Sequence, residues 1–137
     1  MLIDSNIIIY ASKPGYEFLH PLMGQTDLAV SVISYVETLG YHQLTESEKR
    51  FLTEFFENVN LSPLSNTVLQ RAVSLRQTRK IKLGDSLIAA TALVAGVTLV
   101  TRNTQDFDWI PGLALLDPFA KPPSKCCLLY TSPSPRD

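Results

Sequence analysis

Leu2-Ile3-Asp4-Ser5-Asn6-Ile7-Ile8-Ile9-Tyr10 decides the fold. Two apolar residues run into a polar turn, and a second apolar run follows at once. An Asp or Ser placed before an apolar run marks a helix start, so the stretch predicts a short buried strand feeding directly into a helix. The same alternation continues along the chain. Leu28 to Val32 predicts a second strand. Ser34-Tyr35-Val36-Glu37 has the form of a capping box, with Ser34 as N-cap and Glu37 at N3, opening a helix expected to reach Tyr41 or His42. Thr45-Glu46-Ser47-Glu48 begins a further helix, on which Phe51, Leu52, Phe55, Phe56 and Val59 recur at helical spacing.

Leu61-Ser62-Pro63-Leu64 reads as a strand or extended connection, because Pro63 steers Ser62 away from helix. Ser65 or Asn66 then caps a helix carrying Val68, Leu69, Ala72, Val73 and Leu75. Leu83-Gly84-Asp85 leads into a largely apolar helix that runs to Ala95 and ends at Gly96. Val97 to Thr101 and Leu113 to Leu116 are the remaining strands, and Pro118 stops the last. Short apolar strands alternating with helices predict an α/β chain in three layers, α/β/α, around a mostly parallel central sheet.

Composition narrows the function classes. The chain has 137 residues, 45% hydrophobic and 18% charged, with a net charge of −1. That length fits one domain with a core of its own. The charge balance excludes binding to nucleic acid by bulk electrostatics and leaves only a local basic patch. The sequence shows neither a signal-peptide pattern nor an apolar run long enough for a membrane, so a cytoplasmic protein is expected. The only cysteines, Cys126 and Cys127, are neighbours and have no metal-ligand spacing.

Four acids stand where apolar runs end or helices begin: Asp4, Glu37, Asp85 and Asp106. Each has a plain structural explanation. Asp4 can cap a helix, Glu37 can complete a capping box, Asp85 can complement a helix dipole, and Asp106, like Asp108, can be a loop acid. Together they say more. In a parallel sheet the crevice lies outside the carboxyl ends of the strands, which is where these positions fall. Two unpaired carboxylates about 4 Å apart repel by roughly 1 to 4 kcal/mol between water and the protein surface, and a hard cation reverses the sign. Mg²⁺ or Mn²⁺ takes oxygen ligands and makes a bound water more acidic, which suits phosphodiester hydrolysis. His20 and His42 stand apart from all four motifs and read as surface or packing residues.

These blocks resemble the PIN domain, and within it the VapC-type ribonuclease toxins of toxin–antitoxin systems. The resemblance is carried by Leu2 to Tyr10, by Val32-Ile33-Ser34-Tyr35-Val36-Glu37, by Gly84-Asp85-Ser86-Leu87-Ile88-Ala89-Ala90-Thr91-Ala92, by Leu99-Val100-Thr101-Arg102-Asn103-Thr104-Gln105-Asp106-Phe107 and by Ile110-Pro111-Gly112-Leu113. It covers residues 1 to about 119 in order. It implies a metal site formed by Asp4, Glu37, Asp85 and Asp106, with Asn6, Asn103 and Thr101 orienting carboxylates or water. It implies Mg²⁺ or Mn²⁺ as cofactor, RNA of the tRNA class as substrate, a cognate antitoxin as partner and a homodimer. A groove for the antitoxin is implied near the Phe51, Phe55 and Phe56 stripe, which by its spacing is first of all core.

Arg79, Lys80 and Lys82 precede Asp85, and Arg102 adjoins Asn103. They form a candidate basic rim for RNA phosphates, or else a solvated helix end. Phe107 and Trp109 read as core residues rather than base-stacking platforms. A nuclease domain over 1–119 is therefore expected, with a Pro- and Ser-rich tail over 120–137. From about Cys127 to Asp137 the tail matches the translation of a common transposase sequencing adapter and carries no functional weight. The competing reading is a non-catalytic RNA- or protein-binding module that keeps its acids for folding.

Overall fold

The computed structural model describes residues 1–120. Five parallel strands, β1 (Leu2–Ile3), β2 (Ala29–Ser31), β3 (Asn60–Ser62), β4 (Leu99–Val100) and β5 (Leu115–Leu116), form one sheet in the order β3-β2-β1-β4-β5. Six helices connect them: α1 (Ser5–Ala11), α2 (His20–Met23), α3 (Val32–Leu39), α4 (Glu46–Asn58), α5 (Asn66–Thr78) and α6 (Leu83–Ala95). Parallel neighbours need crossover connections, and these supply the outer layers. No helix among the described residues is long and apolar enough to cross a membrane.

Side chains alternate across the pleat, and the strands divide their residues between two cores. Leu2 and Leu99 join Val68, Ala72 and Leu75 of α5 and Leu87, Ile88 and Ala92 of α6 on one face. Ile3, Val30 and Val100 join Ile7, Ile8 and Ala11 of α1, Leu19, Met23, and Leu52 and Phe56 of α4 on the other. The sheet is covered on both sides, which completes the three-layer arrangement expected from the alternation.

The strand order places β1 between β2 and β4. The chain leaves β1 toward β2 and β3 and returns on its other side to build β4 and β5. The carboxyl end of β1 is thus the switch point where a crevice opens. Asp4 sits there as N-cap of α1, with Asp4 Oδ1 accepting from the Ser5 backbone N–H at 2.7 Å.

The helix starts differ from expectation in one respect that matters to the site. Ser34-x-x-Glu37 is not a capping box. β2 passes into α3 with no intervening loop, and Ser31, the last strand residue, is the N-cap, its hydroxyl accepting from Ile33 N–H at 3.1 Å. Ser34 is buried inside the helix, and Glu37 lies on its next turn, free of any capping duty. The helix also stops earlier than expected, at Leu39 before Gly40. The capping box lies at Thr45-x-x-Glu48 instead, at the start of α4. The adapter-like segment lies outside the described residues.

Candidate active site

The four acids reach the switch point from four elements. Asp4 is 5% exposed, and both its oxygens are held: Oδ1 by Ser5 N–H and Oδ2 by the Thr101 hydroxyl at 2.7 Å. Thr101 is fully buried just beyond β4. Its Oγ1 accepts from the Asn103 backbone N–H at 3.1 Å, and its own N–H donates to Leu116 O of β5 at 2.9 Å. Asp85 is half-buried in the first turn of α6. Asp106 is exposed at the end of the 3-10 turn Thr104–Asp106, whose carbonyl takes the Trp109 indole N–H at 3.0 Å. Glu37 is exposed on α3, and its Oε1 accepts from the Ser5 hydroxyl at 2.5 Å.

Electrostatics ties the four together. Burial pushes the Asp4 carboxyl up to about 6, against the pull of its two hydrogen bonds, and the charges of Asp85 and Glu37 add to the rise. Burial also raises Asp85, followed by the charge of Asp106. Lys82 pulls the other way, and Glu37 adds a smaller rise. Asp4 thus feels Asp85 and Glu37, and Asp85 feels Asp106 and Glu37. Asp4 and Asp85 are each raised by burial first and then by neighbouring carboxylate charge, and such perturbation marks a candidate functional site.

Among the described residues no group of three or more Asp, Glu, His or Cys side chains stands placed to hold a metal ion. The donor chemistry nevertheless suits a hard divalent cation. The acidic side chains offer carboxylate oxygens, and Asn6 Oδ1 on the first turn of α1 is enclosed with no hydrogen-bond partner, an acceptor lacking a donor or a cation. Both histidines are engaged elsewhere. His20 Nε2 pairs with Ala11 O at 2.9 Å and its ring stacks on Phe51, while the ring of His42 lies against Tyr41.

A cleft of about 420 Å³ opens beside the acids, lined by Arg76, Lys80, Ile81, Lys82, Asp85 and Asp106. Of the basic residues singled out in the sequence, Lys80 and Lys82 line it. Arg79 and Arg102 do not. The Arg79 guanidinium lies 5.1 Å from the centre of the Trp109 ring, and that of Arg102 lies over Tyr10 at 5.0 Å and Phe119 at 4.2 Å. Arg76, in the last turn of α5, was missed. Phe107 is buried in the core. The side chain of Asn103 is exposed, and only its backbone N–H enters the network. Ser5, Ser34 and Gly84 were also missed. Only Gly84 carried a signal, since an isolated glycine inside a helical pattern commonly has a packing reason.

An all-parallel, doubly covered sheet with carboxylates gathered at its switch point defines an α/β protein with an acidic crevice. The chain belongs to the PIN domain family, whose model matches residues 1–113. Ribonuclease VapC10 of Mycobacterium tuberculosis is 29% identical over 130 residues, covering 89% of this chain and 95% of the relative. Among solved structures, a toxin-antitoxin complex from Klebsiella pneumoniae superposes with a TM-score of 0.71 at 33% identity, covering 86% of this chain and 97% of that one. VapBC2 from Rickettsia felis, bound to a DNA fragment from its promoter, superposes with a TM-score of 0.67 at 26% identity, covering 83% and 95%.

Proposed function

We propose that the chain is the toxin of a toxin–antitoxin pair, a Mg²⁺- or Mn²⁺-dependent endoribonuclease that hydrolyses RNA phosphodiester bonds. The observation that carries this reading is the buried Asp4 at the switch point, with Asp85 and Glu37 near enough for their charge to bear on it and Asp106 near enough to bear on Asp85, beside a cleft walled by Arg76, Lys80 and Lys82. The four acids would hold the cation. When bound, it supplies a more acidic water and positive charge opposite the reacting phosphate. The chain's own residues do the rest. Thr101 and Ser5 N–H fix Asp4, and Trp109 braces the turn that carries Asp106. Lys80, Lys82 and Arg76 receive the flanking phosphates, a contact that positions RNA without reading its sequence. Arg79 and Arg102, committed to aromatic rings, act on the shape of the site rather than on RNA.

The likeness to a solved toxin-antitoxin complex supports the pairing with an antitoxin. Val36 and Leu83, 67% and 61% exposed, each precede a residue of the site, and with Tyr35 they give the apolar surface a protein partner would cover. A homodimer acting on tRNA in the cytoplasm completes the proposal.

The test is purified protein on total RNA with and without Mg²⁺, with cut ends mapped. Cleavage is expected, EDTA abolishes it, and Asp85→Asn removes it while the circular dichroism spectrum is kept. Asp85→Asn is expected to lower the rate at least 100-fold, by analogy with other single losses of charge stabilisation. A folded Asp85→Asn protein that cuts as well as the parent would leave the non-catalytic binding module as the better account.

A further inference from the structure

Glu37 differs from Asp4 in how it is held. It is exposed, on a long side chain, and no backbone donor fixes it, yet its two oxygens meet two different constraints. Oε1 takes the Ser5 hydroxyl at 2.5 Å, and Ser5 Oγ in turn lies 2.8 Å from Ser34 Oγ. Each hydroxyl has one proton, and an ionised carboxylate can only accept. The Ser5 proton therefore goes to Glu37, and Ser34 provides the proton of the Ser34–Ser5 contact. Ser34 is wholly buried and Ser5 nearly so, which locks the pair in place. On the other side stands Gly84. A Cβ at this position would lie 2.5 Å from Glu37 Oε2 and 3.5 Å from its carboxyl carbon. Gly84 is in the first turn of α6, where its backbone has no need of glycine's freedom, so the reason for a glycine is the room it leaves.

We propose that Ser5, backed by Ser34, and the missing side chain at Gly84 form a socket that aims Glu37 at the cation, and that these three are positioning residues for metal binding. The proposal rests on the metal-site reading above. It joins three helices, since Ser5 lies on α1, Ser34 and Glu37 on α3, and Gly84 on α6. An exposed acid is thereby tied to helices on both faces of the sheet.

The two sides of the socket predict opposite effects on the fold, which separates positioning from structure. Gly84→Ala adds a good helix former, and the group it meets is the end of a flexible side chain, which swings away. Its metal-free melting temperature is expected to stay level or rise while Mn²⁺ affinity falls. Ser5→Ala removes a hydroxyl, and Ser5→Thr restores one.

The experiment is Mn²⁺ titration of the full-length chain by calorimetry, with melting temperature in EDTA and RNA cleavage measured on the same samples. Ser5→Ala and Gly84→Ala are each expected to weaken Mn²⁺ binding roughly tenfold, the usual loss when support behind a ligand is removed, with Ser5→Thr close to the parent. Placed in a Glu37→Gln background, neither change should cost anything further. Parent-like Mn²⁺ affinity in both single variants overturns the socket, as do losses that persist undiminished beside Glu37→Gln. If Glu37→Gln is impaired and the two variants are not, the socket alone falls. If Glu37→Gln binds Mn²⁺ as the parent does, the ligand role of Glu37 falls and takes the socket with it. If the parent neither binds Mn²⁺ nor cuts RNA, both this proposal and the nuclease reading are overturned.

Discussion

Asp4 carries a cost that the metal-free protein cannot avoid. It is buried at the end of β1 and raised from an ordinary value of 3.8 to about 6 by that burial, with Asp85 and Glu37 adding to it. A carboxyl raised in the folded state keeps its proton where the unfolded chain has lost it. Stability from this group is therefore greatest at low pH. It falls as the pH rises from about 4 to about 6, and the loss is complete above that. A shift of this size corresponds to on the order of 3 kcal/mol, at about 1.36 kcal/mol for each pKa step. In EDTA, urea denaturation of the parent and of Asp4→Asn should give profiles that nearly coincide at pH 4. By pH 7 they should diverge by up to that amount, with Asp4→Asn the more stable. Added Mg²⁺ should close the gap at pH 7 by binding only the parent. Parallel profiles in EDTA would show that Asp4 is not under this strain. The same residue that weakens the free fold is expected to be essential for cleavage, the usual conflict between stability and a charged site.

Within the elements, the largest local device is the start of α4. Thr45 Oγ1 accepts from Glu48 N–H at 3.2 Å, Glu48 Oε1 accepts from Thr45 N–H at 3.0 Å, and Glu48 Oε2 pairs with Lys13 Nζ at 3.1 Å. The Thr45 backbone bond, followed by Lys13, holds the Glu48 carboxyl below its ordinary value of 4.5. This stability is present above that value and is lost as the pH falls through the lower folded one, opposite in sign to Asp4. Glu48→Ala should cost about 1–2 kcal/mol by urea denaturation, since the reciprocal half of the capping box and the Lys13 pair are lost together, and leave the rate of RNA cleavage unchanged. Glu48→Gln, which keeps the reciprocal bond and loses only the charge, should cost less. Equal losses would assign the effect to Lys13 rather than to the cap.

This element also marks what the sequence could and could not reveal. Thr45-x-x-Glu48 and Ser34-x-x-Glu37 have the same four-residue form, and only the first is a cap. The pattern cannot tell an N-cap from a residue already inside the helix, and β2 enters α3 without the loop that would have moved the start. The acids were legible because each ends an apolar run or opens a helix. Ser5 and Gly84 were not, because their partner lies on α3, far from either in sequence, and becomes a neighbour only when α1, α3 and α6 pack. The ring contacts of Arg79 and Arg102 were hidden for the same reason, as a guanidinium over a distant ring has no local signature. Residues 12–27 gave no reading, and they hold the four-residue α2, which has no side-chain cap.

For the molecule as a whole, the question is where the working unit stops. The family match ends at residue 113, but the site depends on residues beyond that point. Leu99 N–H donates to Ala114 O and Thr101 N–H to Leu116 O, each at 2.9 Å, so β5 anchors the strand end from which Thr101 reaches Asp4. Phe119 then closes the far side. Its ring lies 5.1 Å from Tyr10 and 5.3 Å from Phe18, each edge-on, and caps the Arg102 guanidinium. Phe119→Ala should therefore cost about 1–3 kcal/mol, below the loss for a fully enclosed ring, and should free Arg102 without abolishing cleavage. A chain ended after residue 112 should lose both β5 and cleavage. A chain ended after residue 120 should melt and cut RNA as the full-length protein does, because it keeps β5, Phe119 and every contact that holds the acids. Differential scanning calorimetry and the RNA assay on the three lengths decide the matter. If removing residues 121–137 lowers the melting temperature or the rate, part of that segment is a working part of the protein, and a chain ended after residue 126 shows whether the adapter-like residues belong to it: a loss there overturns their reading as translated adapter sequence.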